Sequence, residues 1–190
     1  MYSGLTTHIK KYIELSDSDI EVLTPYFNQL HVKKKETLLK EGQLCMCQYF
    51  ISKGCFRSYI INHKGNEQTL NFGIENWWMT DYMSFGTQNP SSFFIQAIEN
   101  SDVLAIDKKG MEELLLRLPK LERYFRIILQ KSYAASQMRI KYLFTMSAEE
   151  RYMKFNSSVP EFIQRVPQYM LASYLDFTPE FMSKIRAGKI

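Results

Sequence analysis

The stretch Val166-Pro-Gln-Tyr-Met-Leu-Ala-Ser-Tyr-Leu-Asp-Phe-Thr-Pro-Glu-Phe-Met-Ser-Lys-Ile-Arg186 decides how the chain is read. It predicts two short helices joined by a tight turn. Pro167 suits the first position of a helix, where its missing N–H costs nothing. Met170, Leu171, Tyr174 and Leu175 then recur as a helical apolar stripe. Asp176 and Phe177 interrupt it, with Asp176 at the place where a turn asks for positive φ, a conformation Asp tolerates better than most residues. Thr178 is a good N-cap, followed by Pro179 at the first helical position and Glu180 in the first turn. Met182 and Ile185, with Phe181, face back toward the first helix; Ser183, Lys184 and Arg186 face outward. Ala172 supplies the small side chain that two crossing helices need. This is the pattern of a helix-turn-helix, whose second helix enters the DNA major groove. An ordinary αα-hairpin uses the same signals, so the preceding chain must decide.

The chain has 190 residues, 45% of them hydrophobic, and can bury a sizeable core. No apolar run approaches a membrane span and the N-terminus carries no apolar signal core, so a soluble, cytoplasmic protein without a membrane partner is expected. Three cysteines, Cys45, Cys47 and Cys55, fit a reducing compartment better than a disulfide framework. The net charge of +4 is modest, but its placement is not even. Arg117, Lys120, Arg123, Arg126, Lys131, Arg139 and Lys141 face only one acid, Glu122, between residues 117 and 146. A basic helix beside a helix-turn-helix suits a polyanion, although a solvated basic face reads the same way.

Seven of the eight glycines lie in residues 1–110, which predicts a turn- and strand-rich first part and a helical second part. A first helix is expected around Thr6–Ile13. Ser16 caps another, with Asp17 and Asp19 in its first turn and Ile20, Leu23 and Phe27 on one face. Short apolar segments follow at Leu38-Leu39, Tyr49–Ile51, Phe56–Ile61, Thr69–Phe72, Phe93–Ile98 and Val103–Ile106. They are separated by turn signals such as Asn62-His-Lys-Gly-Asn66, a pattern that predicts a jelly roll or barrel. Helix returns at Met111–Leu118, and Pro119 opens a long one without internal Gly or Pro. Leu121, Phe125, Ile128, Ser132, Ala135, Arg139 and Tyr142 recur along it at spacings near a heptad, which predicts a dimer seam with a small-residue centre. Packing of the same stripe on the barrel is the competing reading. Ser147-Ala-Glu-Glu150 is a capping box for the next helix.

This order resembles the Crp/Fnr-type transcription regulators. The resemblance is carried by Glu41-Gly42, Tyr49-Phe50-Ile51 with Gly54, Ile95-Gln96-Ala97, Val103-Leu-Ala-Ile106 and the hairpin Gln168–Arg186. It implies an α+β protein in three parts. Residues 1–118 would form a double-stranded β-helix (jelly-roll) domain of the cyclic-nucleotide-binding type, with N-terminal helices. Residues 119–146 would form a long dimerisation helix. Residues 147–190 would form a winged-helix-type helix-turn-helix domain, lacking a wing after the recognition helix.

The resemblance also implies a ligand cassette, in which Gly-Glu and, about ten residues on, Arg-Ser hold the ribose and the cyclic phosphate. The matching positions here are Thr80-Asp81 and Ser91-Ser92, with Tyr82 adjoining. Asp81 could still accept from a hydroxyl, but Ser91 brings no charge to a phosphate. Losing that pair should cost about 2–5 kcal/mol, or roughly 30-fold to several thousand-fold in affinity. Trp77, Trp78 and Tyr82 are expected to fill the cavity. Cyclic AMP is therefore not the expected effector; another small molecule, or none, is. No cofactor and no metal are expected: the N-terminal cysteine cluster of the family's iron–sulfur members is absent, and buried free thiols are the expected fate of Cys45, Cys47 and Cys55. No nucleophile elbow, phosphate loop or His cluster suggests an enzyme.

By the same resemblance, Thr178, Pro179, Glu180, Ser183 and Lys184 would face base edges, Arg186 the DNA as well, and Gln168 a phosphate. Glu180 can accept from a cytosine amino group and Lys184 can donate to guanine. The expected partners are double-stranded DNA, a second copy of the chain and RNA polymerase. The alternative is a small-molecule-binding barrel whose C-terminal helices only mediate assembly.

Overall fold

A computed structural model of the chain describes residues 2–158 and 160–186, leaving aside the side chains of residues 161 and 186. Two compact units divide it: Met1–Ser58 with Phe72–Gln130, and Tyr59–Asn71 with Lys131–Ile190. The tip of one β-hairpin thus groups with the C-terminal helices, a division the expected boundaries at residues 118 and 146 do not follow.

The first unit opens with α1 (Tyr2–Lys10) and α2 (Asp17–Leu23). Helix α1 starts ahead of the expected Thr6, because Leu5 and Ile9 are both buried one turn apart. Ser16 forms the capping box: its hydroxyl accepts from the Asp19 N–H, and its N–H donates to the Asp19 carboxylate at 2.7 Å. Lys120 also donates to Asp19, tying α2 to the start of the long helix.

Eight strands follow: β1 (Asn28–Val32), β2 (Thr37–Leu39), β3 (Cys47–Lys53), β4 (Phe56–Ile61), β5 (Glu67–Gly73), β6 (Trp78–Met79), β7 (Phe94–Ala97) and β8 (Ser101–Asp107). They form two four-stranded sheets, β1-β8-β3-β6 and β2-β7-β4-β5. The register of β1 and β3 against β8 is antiparallel throughout. Neighbours in each sheet are mostly distant in sequence, the crossed topology of a jelly roll. Phe50, Ile51, Phe56, Ile95, Leu104 and Ile106, all but inaccessible to solvent, fill its interior. Strand β6 escaped the sequence reading because two residues cannot establish a period.

Helix α3 (Tyr82–Thr87) lies between β6 and β7, and α4 (Lys108–Arg117) follows β8 under an Asp107 cap. Helix α5 (Lys120–Thr145) runs 26 residues. Its first turns belong to the core: Leu121 and Tyr124 are fully buried, and Phe125 and Ile128 pack against the same cluster. The Tyr124 hydroxyl accepts from Trp78 Nε1 at 2.8 Å and meets His8 Nδ1 at 2.9 Å. Trp78 is therefore part of this aromatic core, edge-on to Phe50 and Phe125, and does not fill a ligand cavity as expected.

The second unit contains α6 (Ala148–Ser158), α7 (Pro160–Arg165), α8 (Gln168–Leu175) and α9 (Pro179–Arg186). The Ser147–Glu150 capping box forms as the sequence predicts, Ser147 N–H donating to the Glu150 carboxylate at 2.7 Å. Helix α7 was not foreseen. Pro167 precedes α8 as its N-cap, one position earlier than expected.

Candidate nucleic-acid interface and effector cassette

Helices α8 and α9 pack through Leu171, Ala172, Leu175 and Met182, with Ala172 and Met182 fully inaccessible. Ala172 faces the crossing because any longer side chain would force the helices apart. Asp176 ends α8 at φ 63°, ψ 49°. Its N–H donates to Ser173 O at 3.3 Å, and the Phe177 N–H donates to Ala172 O at 2.8 Å. These two bonds are a Schellman closure, with Asp in the place glycine usually takes. Thr178 then starts α9: its hydroxyl accepts from the Phe181 N–H at 3.2 Å, and Pro179 follows at the first helical position.

Thr178, Pro179, Glu180, Ser183 and Lys184 are all exposed; Glu180 and Lys184 lie on the side of α9 opposite buried Met182, and Thr178 and Pro179 at its start. The backbone N–H of Glu180, then the Thr178 hydroxyl, lower the pKa of the Glu180 carboxyl, so this side chain stands ionised at the start of α9. Gln168 is exposed at the start of α8. The side chain of Arg186 lies outside the described residues.

The expected seam residues divide by what they touch. Leu121, Phe125 and Ile128 belong to, or lie against, the core of the first unit, so they are spoken for by the chain's own fold. Arg139 stacks 4.3 Å above the Tyr174 ring and donates to Tyr174 O at 2.9 Å. It supports α8. Ser132 and Ala135 are exposed and Tyr142 is half-buried. The apolar stripe that α5 leaves open consists of Leu129, Tyr133, Ile140 and Phe144, with Ser136 between them. It lies one residue on from the expected seam, a rotation of about 100° around the helix.

In the cassette, Asp81 is buried and caps α3, accepting from the N–H groups of Met83 at 3.0 Å and Ser84 at 3.2 Å. Its other oxygen accepts from the buried Ser91 hydroxyl at 2.7 Å. The Ser91 backbone is fixed as well: its N–H donates to Gln43 O and its carbonyl accepts from Gly42 N–H, both at 2.8 Å. The two matching positions thus bond directly to each other, and Asp81 accepts three hydrogen bonds from within the chain. The Thr80 hydroxyl donates to Cys47 O at 3.1 Å. Ser92 is exposed, and Tyr82 and Trp77 are each nearly half exposed rather than filling a cavity.

Cys45 and Cys55 are buried free thiols and Cys47 is half-buried. Burial, and next the Asp107 charge, push the Cys47 thiol above its ordinary value. Among the described residues no three His, Cys, Asp or Glu side chains converge in a metal-holding group. No helix among them is long and apolar enough to cross a membrane.

Residues 29–117 match the family model of the cyclic nucleotide-binding domain. The anaerobic regulatory protein of Aggregatibacter actinomycetemcomitans is 27% identical over 165 residues, covering 81% of this chain and 63% of its own length. The fumarate and nitrate reduction regulatory protein of Vibrio cholerae is 27% identical over 187 residues, covering 90% of this chain and 72% of its own. The chain therefore spans less than two thirds of the first of these relatives. A solved structure of a transcriptional regulator of the Crp/Fnr family from Eubacterium rectale superposes with a TM-score of 0.71 at 15% identity, covering 94% of this chain and 87% of that one. A cyclic nucleotide-binding domain over residues 29–117, followed by a long helix and a capped helix pair, makes the chain similar to these regulators, and its fold is like that of the Crp/Fnr-type structure.

Proposed function

We propose that this protein is a dimeric, sequence-specific DNA-binding transcription regulator that does not answer to cyclic AMP. The observation that carries the reading is the division of α9: Met182 is buried against α8, while Glu180 and Lys184 are exposed on the opposite side, Ser183 is exposed beside them, and Thr178 and Pro179 are exposed at the helix start. A helix so held presents its first turns to base edges in the major groove. Lys184 donates to guanine and the ionised Glu180 accepts from cytosine. Double-stranded DNA is then the principal partner, with RNA polymerase acting beside it.

A second copy of the chain fits the open stripe Leu129–Phe144 on α5, where apolar side chains at heptad spacing lack cover. The direct Asp81–Ser91 bond supports insensitivity to cyclic AMP, since a phosphate in that cassette would find no cation at position 91 and would have to displace a buried carboxylate bond.

The test is titration of parent, Glu180→Ala and Lys184→Ala on selected and scrambled duplexes at two salt concentrations. Lys184→Ala should lose about 1–3 kcal/mol on the selected site and much less on the scrambled one. Glu180→Ala should relax specificity while leaving non-specific affinity equal or higher, because a carboxylate near phosphates is repelled unless a base donor holds it. Unchanged binding of both duplexes by both variants would remove α9 as the reader and favour helices that only mediate assembly.

A further inference from the structure

In the second unit, the tip of the β4–β5 hairpin is hydrogen-bonded to α8 through one serine. Strand β5 is the edge of its sheet, so the outward N–H and C=O groups of alternate residues need partners from elsewhere. Glu67 and Thr69 are such a pair, two residues apart. The Ser173 hydroxyl accepts from the Thr69 N–H at 2.8 Å and donates to Glu67 O at 3.0 Å. One side chain thus completes both outward groups, as a paired strand would. Between them, the Gln68 side-chain amide donates to Ser173 O, a carbonyl in the last turn of α8 that no further helical N–H reaches in the i→i+4 pattern. Thr69 is fully buried, so its N–H would be left without a partner if the Ser173 hydroxyl were removed. On the next residue, Arg139 of α5 grips Tyr174 by stacking and by a bond to its carbonyl.

We propose that Ser173 is a docking residue that couples the β4–β5 hairpin to the DNA-reading helix pair, with Glu67, Gln68 and Thr69 as its partners and Arg139 as the opposing support. This rests on the reading of α8 and α9 as the DNA-binding pair. The coupling has a direction. Ala172, Leu175 and Met182 lock α8 and α9 together, so a restraint on Ser173 restrains both. Thr178, Glu180, Ser183 and Lys184 remain exposed while the dock is made, so the dock holds the reader in place without covering it. Restraining the pair before binding lowers the ordering cost on DNA. A change in the hairpin, whether from a ligand or from a partner, would be felt at α9 through these bonds.

The test uses the full chain and two readouts. Amide hydrogen exchange followed by NMR reads the dock itself: Ser173→Ala should speed exchange of the Thr69 amide by about 10-fold or more, and Ser173→Thr, which keeps the hydroxyl, should restore protection. Titration on the selected duplex reads the consequence: Ser173→Ala and Gln68→Ala should each lower affinity by about 5- to 10-fold. The double variant should be little worse than either single one, as expected of a network acting as a unit. Gln68→Ala leaves the sequence of α8 intact and guards against a simple folding defect. Unchanged Thr69 exchange in Ser173→Ala would overturn the dock. Faster exchange with unchanged DNA affinity would overturn the coupling. Failure of the parent to bind any duplex would defeat the DNA reading, while the exchange result would still decide the dock.

Discussion

Replacement of Asp176 tests the turn on which the helix pair depends. Asp176 sits at φ 63°, ψ 49° directly after α8, where an L-residue with a Cβ carries about 1–2 kcal/mol of strain, less for Asp than for most. As an acid directly after α8 it also stands at the negative end of the helix dipole, at a cost of about 0.3–1 kcal/mol at low salt. Asp176→Asn removes the charge and keeps the tolerance for this conformation, so it should stabilise by about 0.3–0.5 kcal/mol. Asp176→Gly removes charge and strain but gives up chain entropy in the unfolded state, for a net gain of about 1 kcal/mol. In a unit of this size that corresponds to roughly 4–8 °C in Tm. Asp176→Val, a branched side chain at positive φ, should lose about 1–2 kcal/mol. Calorimetry at low and at 1 M salt separates the two effects: salt should erase the gain of the Asn variant and spare most of the Gly gain. The order Gly, Asn, Asp, Val from most to least stable is the expected outcome. A Val variant as stable as the parent, or Gly and Asn variants both less stable at low salt, would refute the Schellman turn as the element that sets the pair.

Met182→Ala empties the fully buried contact between α8 and α9 and should destabilise by about 2–5 kcal/mol in denaturant titration. Ile140→Asp places a charge in the open stripe of α5 and should yield monomers in sedimentation with the circular dichroism of the parent, whereas Ile128→Asp, against the core, should impair folding itself. Cyclic AMP at millimolar concentration should not raise Tm, since ligand at ~100 Kd would add about 2.7 kcal/mol and be visible. The Lys120 ammonium, then the Ser16 hydroxyl and N–H, lower the Asp19 carboxyl from 3.8 to about 2. That contribution is present above about pH 4 and lost as pH falls toward about 2. With Lys120 43% exposed, it amounts to roughly 1 kcal/mol, and Asp19→Asn should flatten the acid limb of a stability–pH curve by that much.

What the sequence disclosed was local. Ser16, Ser147 and Thr178 each cap the helix their spacing predicts, because a cap is decided within four residues. Phe56–Ile61 is a strand with the predicted ends, fixed by turn signals on both sides. The pairing of strands was not legible. Strand β3 lies between β8 and β6, and no period in the sequence says which distant segment will satisfy its backbone. Helix α5 shows the same limit in one element. Its length was readable from the absence of Gly and Pro, but the choice of buried face was not. Leu121 and Phe125 answer to the aromatic cluster around Tyr124 and Trp78, partners more than forty residues apart in the chain. A heptad pattern records that a face is apolar and is silent on whether the chain itself or a second copy covers it.

The cassette carries that argument a step further. Position by position, Asp81 and Ser91 read as remnants of a ligand site, one acid kept and one cation lost. The folded chain gives the pair a different meaning. A buried carboxylate without its cation must find donors, and Asp81 finds three: two backbone N–H groups of α3 and the Ser91 hydroxyl. Serine at position 91 therefore does more than forgo a phosphate contact; it neutralises the need that an unpaired Asp81 would create. The backbone of Ser91 is held separately, by bonds to Gly42 and Gln43 that any residue type could make. Where a bound nucleotide would bridge the two ends of such a cassette, here the side chains bridge it directly. The β4–β5 hairpin, by contrast, reaches α8 by hydrogen bonds at Ser173, beside the bond that Arg139 of α5 makes to Tyr174.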